Sequence, residues 1–316
     1  MKNLIVDVHY HSIPYSIPNE RINMMVEEWP MRIAKIMGIE AKKEVFIQKA
    51  EELWGDLDGS KMIKIMNESG IDFILICNVD NSGIEGATVE KVQEINKRVG
   101  NIAKKFPDRV LALAGVDPRR PEALDMLKEC FEEYGMKGLK YHCDHGYNPS
   151  GPESYKLLKY LEKNDGVLLT HTGPIPPPSR PKFADPMLLS DIGMDFPNLK
   201  VIAAHMGLIN WRPWAALAAS QPNLYGDLAM WSPYAYGKFE LFCRELRDII
   251  DYTGVEKILF GSDGPIYDVV LPVKDFIEII KSLPKKAPKG IKFTNEEVNA
   301  ILGDNAVNLL GLNEIS

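Results

Sequence analysis

The chain has 316 residues, 45% of them hydrophobic and 26% charged, with a formal net charge of -7. That length suits one α/β barrel or two modest domains, and the composition is that of a soluble globular protein. The negative balance, with Lys and Arg dispersed among acids, argues against nucleic acid as a partner; no apolar run is long enough to span a membrane.

The first predicted element is the strand LIVDVHYH (4–11), entered directly from Met1-Lys2-Asn3. That leaves no room for a signal peptide, so a cytoplasmic location is expected. Alternate residues of a strand share a face, so Asp7, His9 and His11 continue the face begun by Ile5, opposite Val6, Val8 and Tyr10. Taken alone, the HxH pair fits a strand running out into water or half of a metal site, which needs further ligands elsewhere. Residues 12–60 carry two helical stretches, NERINMMVEEWPMRIAKIMG (19–38) and KKEVFIQKAEELWGDL (42–57). This is longer than a barrel loop requires and predicts a helical insertion over the barrel mouth, of the kind that shapes substrate pockets.

Strand-like runs then recur at IDFILICNVD (71–80), RVLALAGVD (109–117), MKGLKYHCD (136–144), GVLLTHTG (166–173), LKVIAAHMG (199–207), NLYGDLAM (223–230) and KILFGSD (257–263). Helical periodicity fills most intervals, at 87–106, 121–135, 154–164 and 237–254. PIPPPSRP (174–181) reads as a stiff loop. In FTNEEVNAILGDNAVNLLGL (293–312), Thr294 and Glu297 stand at capping-box spacing before a helix expected to pack on the outside. Strand–helix alternation repeated eight times predicts a (β/α)8 TIM barrel, one domain over 1–316 with the 12–60 insertion between its first two strands. A doubly wound open sheet shares that alternation, but no GxGxxG follows the first strand. The four cysteines, Cys77, Cys130, Cys143 and Cys243, form no CxxC pair and read as reduced thiols; only Cys143 falls near a candidate rim.

All six histidines (His9, His11, His142, His145, His171 and His205) stand at or just past the C-terminal end of a predicted strand, and none in a predicted helix. In a barrel those ends share the rim where active sites are assembled. Asp263 ends the eighth strand in LFGSDGP, where a carboxylate can be a turn residue, a ligand or a base. Imidazole with carboxylate suits zinc, and also iron, manganese or cobalt.

The ordered set VDVHYH, GVDPRRPEAL, KGLKYH, LLTHTG, VIAAHMG, LFGSDGP and ILGDNAVNLLGL resembles the amidohydrolase superfamily. More narrowly it is similar to the amidohydrolase-related family that includes aminocarboxymuconate-semialdehyde decarboxylase. The resemblance runs through the barrel and is weakest over 12–60. It implies that His9, His11, His171 and Asp263 hold one divalent metal, zinc first, with manganese, iron(II) or cobalt(II) as alternatives. It further implies that His205 polarises or protonates the substrate, while Asp263 accepts a proton from water. Lys140 shares a strand face with His142. It is either an inward lysine paired with a carboxylate such as Asp7 or Asp117, or, as in binuclear superfamily members, a carboxylated bridge between two metals. Arg119, Arg120, Arg180 and Arg212 are candidates to clamp a substrate carboxylate, and Trp211, Trp231 and Tyr234 to line a pocket.

The function so implied is a hydrolase acting on an amide, ester or lactone of a small organic acid. The alternative is a nonoxidative decarboxylase, or a hydratase, of a small carboxylic acid using the same ligands. A small-molecule substrate is expected, with no nucleic acid or membrane partner, and the resemblance implies a homodimer.

Overall fold

The alternation of apolar runs and amphipathic stretches resolves into eight strands separated by helices. They are β1 (Val6–His11), β2 (Phe73–Cys77), β3 (Val110–Gly115), β4 (Gly138–Tyr141), β5 (Val167–His171), β6 (Lys200–Ala204), β7 (Leu224–Asp227) and β8 (Ile258–Leu259). Their order in the sheet follows the chain from β1 to β8, which is the order of the expected (β/α)8 fold. The computed structural model describes residues 3–175 and 178–312. Met1 and Lys2 before the first strand, and Pro176 and Pro177 of the expected stiff loop, lie outside the described residues. The chain divides into two compact units, residues 75–227 and residues 1–74 with 228–316.

In the unit of residues 75–227, β3 through β7 pair in parallel, with Leu113 opposite Gly138, Leu169 opposite Lys140, His171 opposite Ala204 and Ala203 opposite Gly226. Parallel strands need a crossover between them, and Val89–Lys105 is the first in this unit. Thr88 caps it by accepting from the Lys91 N–H at 3.3 Å. Val92, Asn96, Val99 and Ile102 form its buried stripe. Asn96 stands where an apolar residue would be expected, and its amide is fully used. Its Oδ1 accepts from Asn78 Nδ2 (2.9 Å) and the Gly115 N–H (3.0 Å), while its Nδ2 donates to Gly115 O (3.0 Å). One buried amide thus ties the helix to the exits of β2 and β3, the kind of satisfied polar group an interior tolerates.

In the other unit, β1 and β8 run together. Val8 N–H donates to Phe260 O at 3.0 Å, Asp263 N–H to His9 O at 2.9 Å, and His11 N–H to Gly264 O at 2.7 Å. Between β1 and β2 the chain forms helices at Asn19–Glu28, Pro30–Met37, Lys43–Leu53 and Ser60–Ser69. The single periodic stretch read over 19–38 is two helices, because Pro30 has no N–H to continue the first and is suited to the opening turn of the second. Trp54, just past the Lys43–Leu53 helix, donates its buried indole N–H to Pro265 O at 3.2 Å. That bond ties the inserted helices to the segment that leaves β8.

The C-terminal stretch opens with the expected capping box, Thr294 and Glu297 each accepting from the other's backbone N–H. It does not continue as one α-helix. Residues Ala300–Asp304 widen into a π turn, and a Cβ on Gly303 would lie 1.8 Å from Leu4 O. The helix meets the entry to β1 so closely that only a glycine fits there.

Within this unit Asp268 is buried, and its Oδ1 accepts from the Val273 N–H at 2.8 Å, at the start of the helix Val273–Lys286. Burial pushes its carboxyl up from 3.8 to about 7. The folded chain therefore holds this proton more tightly than the unfolded chain. Stability is lost as pH rises from about 4 to about 7, and the full penalty stands above that. An Asp268→Asn variant keeps the acceptor and carries no charge. Its thermal stability is expected to match the parent near pH 4 and to exceed it by on the order of a few kcal/mol at pH 8. A gap between the two proteins that does not change with pH in a melting series would contradict this.

Candidate metal centre

Each unit carries its own group of strand-end side chains. In the unit of residues 1–74 and 228–316, His9 and His11 come from the end of β1 and Asp263 from the segment after β8. His9 Nε2 and His11 Nε2 are 3.2 Å apart, and Asp263 Oδ1 lies 3.4 Å from the first and 3.1 Å from the second. A tetrahedral ion bound by nitrogen and oxygen has ligand–ligand edges of about 3.3 Å, so these three atoms fit one face of such a shell. Two imidazole nitrogens and a carboxylate oxygen are also the donor types that a divalent ion of the zinc group takes.

The backbone around this corner is over-determined. Asp7 Oδ1 accepts from the N–H groups of both His9 and Ser262, each at 3.0 Å, fastening β1 to the residue before Asp263. Ser262 Oγ accepts from the Gly264 N–H at 2.9 Å. Asp263 itself sits at φ 58°, a left-handed conformation that costs a non-glycine residue on the order of 1–3 kcal/mol. Asp7, one of the carboxylates weighed as a partner for Lys140, thus holds β1 and the segment after β8 in register. Burial pushes its carboxyl up to about 7.

In the unit of residues 75–227, His171 ends β5 and His142 follows β4. Their rings stack at 4.7 Å with planes 10° apart. His171 Nε2 is 3.1 Å from Gly173 O. A carbonyl only accepts, so this contact places a proton on Nε2 and leaves Nδ1 as the nitrogen with a lone pair in the neutral ring. The Cys143 thiol, expected at the rim, is buried and donates to His171 O at 3.1 Å.

His142 Nδ1 is 2.6 Å from Asp144 Oδ1, and burial pushes the imidazole down to about 3, so the neutral ring donates to the carboxylate. Ligand atoms of His142, Asp144 and His171 lie within 4.8 Å of one another. Lys140, at 2% exposure, is buried on β4. His205 follows β6, edge-on to His171 with ring centroids 5.0 Å apart. Its backbone N–H donates to Asp227 Oδ1 at 2.8 Å, and it opens a run of left-handed residues, with φ 66° at His205, 54° at Met206, 81° at Gly207 and 55° at Leu208. His145 packs against His142 with ring centroids 4.8 Å apart, and its Nδ1 is 3.3 Å from Asp80 O.

Two of the four arginines considered as substrate clamps are engaged by carboxylates of the same unit. Arg119 grips Asp117 through Nε (3.0 Å) and Nη2 (2.6 Å), and Arg120 grips Asp80 through Nε (2.7 Å) and Nη2 (2.9 Å). Arg212 is exposed and stacks on Trp211 at 4.3 Å. Arg180 is exposed, its backbone N–H donating to Asp144 O at 2.7 Å.

Sequence reasoning passed over Asp144, Thr172 and Asp227. Two of them carried the signal that marked Asp263, a carboxylate closing an apolar run: Asp144 in KYHCD and Asp227 in LYGD.

Eight strands in chain order, with imidazoles and carboxylates gathered at their C-terminal ends, define an enzyme of the (β/α)8 barrel class. The chain belongs to the amidohydrolase family, whose model matches residues 6–312. It is therefore an enzyme of the hydrolase or carboxy-lyase kind. Solved structures share the fold across the chain. An uncharacterised TIM-barrel protein from Bordetella bronchiseptica is 21% identical, with a TM-score of 0.69 and 98% of each chain covered. A probable 2-pyrone-4,6-dicarboxylic acid hydrolase from Acinetobacter baumannii is 15% identical, with a TM-score of 0.62 and coverage of 97% of this chain and 99% of that one. A dihydroxybenzoic acid decarboxylase from Polaromonas, solved with bound manganese and 2-nitroresorcinol, is 17% identical, with a TM-score of 0.62 and coverage of 99% and 98%. No curated protein matches the sequence. Among the described residues, no helix is long and apolar enough to cross a membrane.

Proposed function

We propose that this amidohydrolase-family enzyme hydrolyses an amide, ester or lactone of a small organic acid. The observation that carries the reading is the convergence of His9 Nε2, His11 Nε2 and Asp263 Oδ1 within 3.4 Å of one another. The family resemblance adds His171 as the fourth ligand, and the Gly173 carbonyl on its Nε2 supports Nδ1 as the donor atom. The ion is divalent, zinc first, with manganese, iron(II) or cobalt(II) as alternatives; the manganese in the Polaromonas structure supports the divalent class. When bound, it supplies Lewis acidity that lowers the pKa of water and polarises a carbonyl.

The chain's own residues do the rest. Asp263 accepts the proton released as water adds to the carbonyl carbon. His205 donates a hydrogen bond to the substrate and then a proton to the leaving group, a task suited to imidazole near neutral pH. One metal requires no carboxylated bridge, so Lys140 stays unmodified in this reading. With Arg119 and Arg120 engaged by Asp117 and Asp80, Arg180 and Arg212 are the guanidinium groups we assign to a substrate carboxylate. The helices of 12–60 frame the pocket mouth, a role supported by the Trp54 bond to the segment following Asp263.

A decarboxylase is the second reading, and the shared fold with the Polaromonas dihydroxybenzoic acid decarboxylase favours it. There no water adds, and a proton is delivered to the carbon that loses its carboxylate. Metal-loaded protein incubated in heavy-oxygen water with nitrophenyl acetate, γ-butyrolactone and 2,6-dihydroxybenzoate separates the two. Heavy oxygen in the acid product without carbon dioxide is expected. Carbon dioxide release without incorporation of the label would overturn the hydrolase reading.

A further inference from the structure

Three of the four consecutive left-handed residues at 205–208 carry side chains, a conformation that persists only where the surroundings hold it. The holding groups are on neighbouring strands of the same unit. Asp227, buried at the end of β7, accepts the His205 N–H at 2.8 Å. Thr172, buried one residue past β5, spans the turn with a single hydroxyl. Its Oγ1 donates to Ala204 O at 2.5 Å and accepts from the Gly207 N–H at 2.9 Å. The two backbone groups it joins lie on either side of His205.

The fit around this turn is close. A Cβ on Gly173 would meet the Gly207 carbonyl carbon at 2.9 Å, and a Cβ on Gly226 would meet Met206 Cγ at 2.3 Å. The turn is thus seated between the end of β5 and β7 with no slack, and the Thr172 hydroxyl is its polar clasp. Neither Thr172 nor Asp227 is a ligand in the proposed centre.

We infer that Thr172 is a positioning residue for the reaction, acting through His205 by bridging Ala204 O and Gly207 N–H, with Asp227 as the second anchor of the same turn. The inference rests on the role proposed for His205. A misplacement of about 1 Å at a reacting group can cost on the order of a hundredfold in rate, which is the scale of effect available to such a clasp.

The test combines Thr172→Val, which keeps the shape and removes the hydroxyl, Thr172→Ser, which restores it, and His205→Ala, alone and with Thr172→Val. Each full-length protein, metal-loaded, is assayed on the panel named above, with metal content and a crystal structure recorded. Thr172→Val is expected to keep its metal, to lower kcat about 10- to 100-fold with KM changed less than about threefold, and to show residues 205–208 leaving the left-handed region. Thr172→Ser is expected to recover most of kcat, and Thr172→Val to have no further effect in the His205→Ala background. If His205→Ala is fully active, the role given to His205 fails. If His205→Ala is impaired while Thr172→Val is fully active, or lowers kcat equally in both backgrounds, the positioning role is overturned. A Thr172→Val structure with the turn unchanged overturns it whatever the substrate.

Discussion

Replacing His9 and His11 together with alanine is expected to strip the divalent ion and lower kcat/KM by at least about a thousandfold, while the fold survives. The size follows from what is removed. A bound metal contributes several kcal/mol of charge stabilisation, and each 1.36 kcal/mol is a factor of ten in rate. Survival of the fold follows from where the rings lie. β1 is held by backbone bonds to Phe260, Asp263 and Gly264 and by the Asp7 carboxylate, none of which uses an imidazole. Circular dichroism and elemental analysis on the same preparations separate loss of metal from loss of structure. An active, metal-replete double variant would remove the basis of the assignment.

The second large effect is expected at His205. Its replacement by asparagine should lower kcat about 100- to 10,000-fold, the range for losing a positioned acid or base. Metal content should stay at the parental level, because the ligands assigned are His9, His11, His171 and Asp263. That combination, metal kept and rate lost, distinguishes His205 from the ligands, for which the two fall together. Equal loss of metal and activity in His205→Asn would place it among the ligands instead.

What could be read from the sequence depended on how local the cause was. β2 was legible because FILIC is an uninterrupted apolar run and all five of its residues are buried, as a parallel strand with covered faces requires. The histidines were legible as a group because strand ends are marked by the sequence itself. The break at Trp29–Pro30 carried a local signal, a proline within a helical pattern, which the periodicity of 19–38 masked. The π turn at 300–304 had none; within it Gly303 lies against Leu4 O, a contact from the far end of the chain.

The arginines show the same boundary. Nothing in DPRRP reveals that Arg119 closes back on Asp117 two residues away, whereas Arg120 reaches Asp80, forty residues distant. Thr172 was hidden for another reason. A threonine beside a candidate ligand looks like filler until the Ala204 and Gly207 backbone groups are found on its hydroxyl.

The most direct test of the metal centre is the ion itself. Protein stripped with chelator and dialysed against zinc, and separately against manganese, is analysed by plasma mass spectrometry beside the His9→Ala/His11→Ala variant. The account predicts about one tightly held divalent ion per parental chain and none above background in the variant. A parental chain that binds neither ion, or a double variant that binds as much as the parent, would contradict it.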